Sequence, residues 1–275
     1  MGSRKLIGVV VCVLALVSAC SSGNRDASAS DTITTLQPGV LKVCMYPGFA
    51  PFVSKQNGEW TGWDVTYMQQ FAQQAGLQFQ PVEVKEFNNI WMEPGKGTCD
   101  VAASGIAEIE QREKQTGAAA QWSDHYYRVA RSFGINEKDT LDDIHQLAGK
   151  TVIVTKGSTA DIDLQSRLKM AGITNTKVEY TNDEAHAAQR VVAGDAFAYG
   201  GGLGSVQYLT GQVPGLKLAW EHCLMLSDGQ QVPEPFSFVA RTASTGLVEA
   251  INSYVAHPTQ PYQGGAGADI PCPPQ

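Results

Sequence analysis

The chain has 275 residues and is acidic, with 27 Asp and Glu residues against 20 Lys and Arg and a formal net charge of -7. This balance argues against a nucleic-acid partner, because neutralising phosphates requires a basic face. The length is sufficient for one large domain or two of ordinary size, each with its own hydrophobic core.

Residues 1–19 are predicted to be a secretory signal peptide. Arg4 and Lys5 precede an apolar run over residues 6–17 that is too short to span a bilayer, and no stop-transfer charges follow it. The segment Leu16-Val17-Ser18-Ala19-Cys20 resembles the bacterial lipobox, which implies cleavage before Cys20 and attachment of a lipid such as palmitate to it. An ordinary cleaved signal with an incidental cysteine is the alternative.

Residues 20–38 are predicted to form a flexible, lipid-anchored tether. Residues 21–31 contain no large apolar side chain, so they cannot bury enough surface to offset the entropy of ordering. Removal of residues 1–19 takes away two basic residues and no acidic ones. The mature chain therefore carries 18 basic and 27 acidic residues, and 18 − 27 gives a net charge of -9.

Four cysteines follow the tether, and an even number is typical of proteins from an oxidising compartment. They are Cys44, Cys99, Cys223 and Cys272. One or two disulfides are predicted, with three possible connectivities. A zinc site is disfavoured because none of these cysteines has Cys-x-x-Cys spacing or lies near a His pair, and buried free thiols are the other alternative.

The first predicted elements form a βαβ unit. A strand over residues 41–46 precedes a helix that Asp64 would cap and Gly76 would end. The apolar stripe of this helix is Val65, Met68, Phe71, Ala72 and Ala75. Strands over 79–84 and 100–103 follow, and this alternation indicates a parallel sheet with crossover helices.

A second α/β unit is predicted to follow, with strands over 132–135, 151–155, 177–180 and 196–199. One helix covers 160–171, and a second begins at an Asp183 N-cap and carries a stripe of Ala185, Ala188, Val191 and Val192. A final helix over 244–256 precedes a Pro- and Gly-rich tail, 258–275, which is predicted to be extended.

In their order and spacing these segments resemble the family 3 extracellular solute-binding proteins, the receptors of polar amino-acid ABC importers. The resemblance covers nearly all of residues 41–255. The segments that carry it include Phe49-Ala50-Pro51-Phe52, Gly62-Trp63-Asp64-Val65, Ser104-Gly105-Ile106, Arg112-Glu113-Lys114, Trp122-Ser123-Asp124, Gly157-Ser158-Thr159 and Gly194-Asp195-Ala196.

The resemblance implies an α/β fold of the two-lobed, type II periplasmic-binding-protein kind. Two mixed or parallel sheets with flanking helices would be joined by a hinge that the chain crosses twice. Lobe 1 would comprise residues 39–128 and 233–275, the latter including the extended tail, and lobe 2 residues 129–232. The ligand would lie between the lobes at the strand ends and would be enclosed by a hinge motion.

The resemblance places Arg112 where the ligand's carboxylate is anchored. A guanidinium offers a planar fork of donors that matches a carboxylate, and this bond is stronger in a closed cleft. The alternative is a surface arginine, because residues 108–114 form a charged run.

Further ligand contacts follow from the same resemblance. Ser158 and Thr159 would offer hydroxyls at a helix start that can bind an anion, although a plain N-cap is the alternative. Gly105 would offer its carbonyl to a ligand amine, or would only form a tight bend. The aromatic residues expected at the cleft, with at least one phenylalanine serving packing alone, are Phe49, Phe52, Phe87 and Tyr199.

The sequence departs from the family where a carboxylate usually pairs with the ligand's α-ammonium, a place that Gly200 occupies here. Burying an ammonium without a carboxylate is costly, so we expect an anionic ligand or one whose positive charge lies elsewhere. The glycine run 200–202 would leave extra volume or form a mobile loop. Alternatively the run is a flexible turn, and Glu108 or Glu110 supplies the charge.

The predicted function is that of a substrate-binding lipoprotein of an ABC import system, held at the outer face of the cell membrane. It would be a monomer that captures a small polar or anionic, amino-acid-like solute and delivers it to the importer permease. No cofactor, metal or catalytic residue is expected.

Two other functions remain open. An enzyme similar to the periplasmic cyclohexadienyl dehydratases would need a general acid or base in the cleft, for which His125 and Glu108 are the candidates. A sensor would bind the solute in the same cleft and signal to a membrane partner.

Overall fold

A computed structural model describes Gly2 and residues 33–259. The predicted signal peptide, Cys20, most of the predicted tether and nearly all of the Pro- and Gly-rich tail lie outside the described residues. Within 33–259, no helix has both the length and the apolar character needed to cross a membrane.

The helices and strands alternate along the chain. The first stretch contains β1 (Val40–Met45), β2 (Gly48–Phe49), β3 (Val53–Gln56), β4 (Glu59–Thr61), α1 (Trp63–Gln74), β5 (Gln78–Glu83), β6 (Val101–Ala102), α2 (Glu110–Thr116), β7 (Ala120–Trp122) and β8 (Tyr127–Val129). The second contains β9 (Arg131–Asn136), β10 (Thr151–Thr155), α3 (Thr159–Met170), β11 (Lys177–Thr181), α4 (Glu184–Ala193), β12 (Ala198–Gly202), α5 (Leu203–Gln212), β13 (Leu216–His222), β14 (Leu224–Met225) and β15 (Gln231–Val232). The last contains β16 (Glu234–Phe236), β17 (Val239–Arg241) and α6 (Leu247–Ala256).

Two five-stranded mixed sheets organise these elements. The first has the order β5-β1-β6-β17-β7, in which β1 pairs in parallel with β5 and β6, while β17 is antiparallel to both neighbours. The second has the order β11-β10-β12-β9-β13, with three parallel strands and with β9 antiparallel to β12 and β13. This arrangement confirms the predicted α/β class with two mixed sheets.

The chain passes between the two sheets at a short antiparallel pair. Strand β8 leads into the second sheet and β16 leads back to the first, and the two strands pair with Glu234 opposite Val129. Because β17 returns to the first sheet, that sheet is built from two separate stretches of sequence. The predicted double crossing is therefore present in the topology.

Helix α1 packs on the first sheet through the predicted stripe, but its N-terminus differs from the prediction. The N-cap is Gly62, at φ 127°, and Asp64 lies buried within the first turn. The Asp64 carboxylate accepts bonds from the Gly105 N–H (2.7 Å) and the Tyr126 hydroxyl (3.0 Å). Asp64 therefore fixes the loop that follows β6 instead of capping the helix.

Helix α4 begins at the predicted cap, since the Asp183 carboxylate accepts from the His186 N–H at 2.9 Å. Its predicted apolar stripe is shifted, however, because Ala185 is exposed. The buried side chains are instead Glu184, Ala187, Ala188 and Val191, at the i, i+3, i+4, i+7 spacing of one helix face. A carboxylate is thus part of the inward face.

One disulfide joins Cys44 in β1 to Cys99 just before β6, with a Cα–Cα distance of 5.7 Å. Cys223 is also disulfide-bonded, and Cys272, its remaining candidate partner, lies outside the described residues. The Cys44–Cys99 pair selects one of the three possible connectivities. It lies in a buried cluster with Tyr46 and Phe87, beneath the cavity described below.

Candidate functional site

A narrow cavity lies between the two sheets. Its free volume for the centre of a water-sized sphere is about 20 Å³, which is room for little more than one water molecule. The first-sheet side contributes Tyr46, Phe49, Phe87 and Gly105. The second-sheet side contributes Arg131, Thr155, Ser158, Thr159, Ala160, Glu184, Tyr199, Gly200, Gly201 and Gly202. A solute of amino-acid size would therefore have to move these walls apart to enter.

The structure brings most of the predicted ligand-binding residues together on this cavity. Those that line it are Phe49, Phe87, Gly105, Ser158, Thr159 and Tyr199. Phe52 and Arg112 do not line it. Phe52 is fully buried and its ring contacts those of Phe49, Trp63, Tyr127 and Phe236 at centroid distances of 4.9–5.5 Å. In this structure Phe52 serves packing alone.

Arg112 is 1% exposed, so the alternative of a surface arginine is wrong. Its guanidinium lies 4.2 Å from the centroid of the Trp91 ring and donates to the carbonyls of Ala107 (2.9 Å) and Gly157 (3.1 Å). The bond to Gly157 links α2, beside the first sheet, to the loop before α3, beside the second. Burial lowers the pKa of Arg112 to about 10, and the Glu234 carboxylate opposes that effect, so Arg112 remains a cation at neutral pH.

The hydroxyls at the start of α3 already have partners. The Ser158 hydroxyl accepts from the Asp161 N–H at 3.3 Å, so the N-cap interpretation of this residue is confirmed. The Thr159 hydroxyl donates to Oε1 of Glu234 at 2.5 Å. This second bond ties the second sheet's helix to strand β16.

Gly105 has a structural reason to be glycine. Its φ is +55°, and a Cβ atom there would lie 2.4 Å from the Phe49 ring. Its N–H is held by Asp64. The residue therefore brings the backbone directly against the aromatic wall of the cavity.

Glu184 is a cavity residue that the sequence analysis missed. It is 5% exposed, and Oε1 accepts from the Thr155 hydroxyl at 3.3 Å, while Oε2 has no hydrogen-bond partner among the described residues. Burial raises its pKa to about 8 from an ordinary 4.5, and the nearby hydroxyls of Tyr199 and Thr155 only partly oppose that rise. The i, i+3, i+4, i+7 spacing with Ala187, Ala188 and Val191 is the sequence signal that could have found it.

Arg131, at the start of β9, is a second missed residue. It is 3% exposed, and its Nε lies 2.8 Å from Oε2 of Glu234, yet neither atom forms a hydrogen bond within residues 33–259, so the contact is an ion pair only. Its Nη2 also has no hydrogen-bond partner there. Burial raises the pKa of Glu234, and Arg131 opposes that rise. No sequence pattern singled out either residue.

The glycine run is neither a loop nor a source of extra volume, which corrects both expectations. Gly200, Gly201 and Gly202 are buried in β12 and pair with β9. A Cβ atom at Gly200 would lie 3.1 Å from both the Phe133 ring and a Val154 methyl group. Neighbouring side chains therefore already fill the space that the glycines leave.

The carboxylates expected to replace the missing one lie elsewhere. Glu108 Oε2 accepts from the Ser237 hydroxyl (2.6 Å) and lies 3.0 Å from Nε2 of His125, while Glu110 pairs with Lys114 on the exposed side of α2. None of these residues lines the cavity. The inference that the cleft lacks a carboxylate is therefore corrected, because Glu184 supplies one from α4.

The described residues contain no group of three or more His, Cys, Asp and Glu side chains that could hold a metal ion. The cavity is instead a small, mostly apolar pocket in which one carboxyl group, one guanidinium and several hydroxyls lie beside an aromatic wall.

Comparison with known proteins agrees with this architecture. The sequence profile of the bacterial extracellular solute-binding proteins, family 3, matches residues 41–260. "Probable amino-acid-binding protein YxeM" of Bacillus subtilis (strain 168) is 28% identical over 161 residues, which is 58% of this chain and 56% of that protein. "Membrane-bound lytic murein transglycosylase F" of Pseudomonas putida (strain GB-1) is 28% identical over 151 residues, 54% of this chain and 29% of that protein.

The solved structure of an ancestral arginine-binding protein bound to arginine superposes with a TM-score of 0.68 at 25% identity, covering 79% of this chain and 91% of that one. The fold and the cavity define a two-sheet protein of the type II periplasmic-binding-protein class. The chain belongs to the bacterial extracellular solute-binding proteins, family 3. It aligns with little more than half of the Bacillus relative's length.

Proposed function

We propose that the chain is the substrate-binding lipoprotein of an ABC import system and captures a small, polar, amino-acid-like solute outside the cell. The observation that carries the proposal is the cavity between the two sheets, which presents Arg131, Glu184 and the hydroxyls of Ser158 and Thr159 beside an aromatic wall. Family membership and the predicted lipobox at Cys20 support delivery to a membrane permease. The protein acts as a monomer in this proposal.

Arg112 is proposed to anchor the solute's carboxylate once the cleft opens. Its bond to the Gly157 carbonyl spans the cleft, so separation of the sheets would free one edge of the guanidinium. A carboxylate is a stronger acceptor than that carbonyl and matches the fork of donors. The proposed anchor thus exchanges a contact within the protein for a contact with the solute.

This function can be tested by thermal-shift measurements and calorimetry. The solutes are L-arginine, L-lysine, L-histidine, L-glutamine, L-glutamate and dicarboxylates. A solute at one hundred times its dissociation constant should stabilise the protein by about 2.7 kcal/mol, which is easily seen as a rise in melting temperature. Arg112→Ala should weaken binding by roughly 2 to 5 kcal/mol, and Lys114→Ala, which removes an exposed cation of the same helix, should not. Failure of every amino acid to bind would contradict the proposal.

Catalysis is the second candidate, and one observation favours it. Because burial raises its pKa to about 8, Glu184 is a protonated carboxyl group inside a closed cavity, as a general acid must be. His125, the acid or base candidate from sequence, is not at the cavity. Mass spectrometry of the solute before and after incubation distinguishes the two, since a receptor returns its solute unchanged.

A further inference from the structure

The Glu184 carboxyl group has one oxygen without a hydrogen-bond partner among the described residues, although buried polar atoms rarely lack one. The side chain is more than nine-tenths buried, it lines the cavity, and Oε2 has no hydrogen-bond partner among the described residues. Leaving a buried acceptor unsatisfied costs roughly 1 to 3 kcal/mol. A group of this kind on a cavity wall is available to bind a polar group of the solute.

The position at which the family carries its carboxylate is tightly packed in this chain. A Cβ atom at Gly200 would lie 3.1 Å from the Phe133 ring and from a Val154 methyl group, so these two buried neighbours would have to shift by a few tenths of an ångström to admit any side chain. Glu184 reaches the same cavity from the N-terminus of α4, on the far side of β12. The carboxyl group of the cavity therefore comes from helix α4 and not from strand β12.

The cavity also offers the complementary charge. Arg131 lines the cavity, and its Nη2 has no hydrogen-bond partner within residues 33–259. The rings of Tyr46, Phe49 and Phe87 stand on the first-sheet side. One cation, one carboxyl group and an aromatic wall suit a small solute that carries both charges.

We propose that Glu184 receives the cationic group of the solute, in place of the strand carboxylate that Gly200 lacks. The solute class is accordingly an amino acid with an intact ammonium group. This inference rests on the proposed function, because it assumes that the cavity between the sheets is where the solute binds.

Binding should then be linked to loss of a proton. The groups that face Glu184 are Thr155 on β10, Tyr199 on β12, Arg131 on β9, the α4 N-cap Asp183 and Tyr46, which directly follows β1. Without a solute, burial raises the pKa of Glu184 to about 8 even with Arg131 nearby, which favours the protonated carboxyl group at pH 7. An ammonium group brought against it favours the ionised form, so the complex should release about one proton at pH 7.

Titration calorimetry of the full-length protein and of Glu184→Gln tests the assignment, with L-arginine, L-histidine and L-glutamine as probes. Each titration is run at pH 7 in phosphate and in Tris, whose different ionisation heats give the number of protons released. Glu110→Gln is the matched control, because Glu110 is an exposed glutamate paired with Lys114. Gln has the shape of Glu, and the melting curve of the variant verifies that it folds.

The tightest probe should bind Glu184→Gln about 30-fold or more weakly than wild type, as for loss of one partner of a buried charge pair, and without proton release. Glu110→Gln should match wild type in both respects. Tight binding of a probe to wild type with an unchanged affinity and proton count in Glu184→Gln would overturn the assignment and leave the proposed function standing. Binding of no probe to wild type would contradict the proposed function and this assignment with it.

Discussion

Two arginines and two glutamates lie buried in or beside the cavity: Arg112, Arg131, Glu184 and Glu234. Their surroundings separate them into different roles. Glu234 has two close partners, the Thr159 hydroxyl and Arg131. The close partners of Glu184 are hydroxyl groups, and burial raises its pKa to about 8. Removing one member of a buried ion pair lowers stability strongly, because the remaining charge stays buried without its partner.

The raised pKa of Glu184 predicts a pH dependence of stability. Between an ordinary pKa of 4.5 and the folded value of about 8, the folded state binds more protons than the unfolded state, so stability falls as pH rises through this range. In Glu184→Gln this loss should disappear. The stability difference between the two proteins should therefore change by up to about 5 kcal/mol between pH 4 and pH 9, in favour of the variant at high pH.

Urea unfolding of both proteins without added solute, repeated at each pH, measures this difference. Glu110→Gln serves again as the control and should follow the wild-type curve. Parallel curves for wild type and Glu184→Gln would mean that Glu184 ionises normally in the folded protein.

At the scale of elements, strand β12 combines glycine with tight packing. Gly200 lies in the strand between β10 and β9, where Val154 and Phe133 are its direct cross-strand partners. Glycine usually weakens a strand, because its backbone loses more freedom on folding. Here the absent side chain admits the Phe133 ring, which is itself stacked on Trp220 at a centroid distance of 5.7 Å.

Gly200→Ala should consequently lower stability by about 1 to 3 kcal/mol, since overpacking a filled core outweighs the usual gain from replacing glycine. Gly211→Ala is the matched control, because Gly211 lies in α5 with nothing within 4 Å of its missing Cβ atom. That change should be neutral or stabilise by about 0.5 to 1 kcal/mol. Chemical denaturation measures both, and a stabilising Gly200→Ala would show that the Phe133 ring yields.

Most helices and strands could be predicted from the sequence, whereas the contacts of side chains in the cleft could be predicted less well. The hydrophobic spacing of α1 and the cap at Asp183 were predicted because they depend on neighbours along the chain. Helix α5 and strand β13 were missed, and Asp64 was misassigned as a cap, because its partners Gly105 and Tyr126 are distant in sequence. Local periodicity contains no information on such tertiary bonds.

Some residues of the cavity were predicted from the sequence and others were not. Gly105, Ser158 and Thr159 were placed by resemblance to the family, which fixes positions that the family shares. Glu184 was not predicted, because its burial depends on how α4 packs in the fold and the family resemblance points to position 200 instead.

At the scale of the whole molecule, the two sheets are held together by contacts across the cleft as well as by the β8–β16 pair. Arg112 donates to the Gly157 carbonyl, and Thr159 donates to Glu234. Both contacts involve the loop and first turn at the N-terminus of α3. Opening of the cleft must therefore move the start of α3 relative to α2.

The attachment of this two-sheet body to the membrane is predicted to depend on Cys20. In the mature chain the acyl groups would provide the membrane affinity, so Cys20→Ala should yield a soluble protein or an unprocessed precursor. Fractionation of cells with an antibody to the protein measures the distribution. Ser21→Ala is a suitable control that should stay in the membrane fraction, and a processed Cys20→Ala protein that remains firmly membrane-bound would contradict the prediction.

The enclosure of Gly200 also limits the order in which mutations at this site can accumulate. Phe133 and Val154 would have to shift to admit a larger residue at position 200, so an acidic residue should be better tolerated there once one of these two neighbours has been shortened. A single substitution at position 200 would cost stability before it could contribute to binding. An earlier substitution that shortens Phe133 or Val154 should therefore favour the return of a carboxylate on the strand.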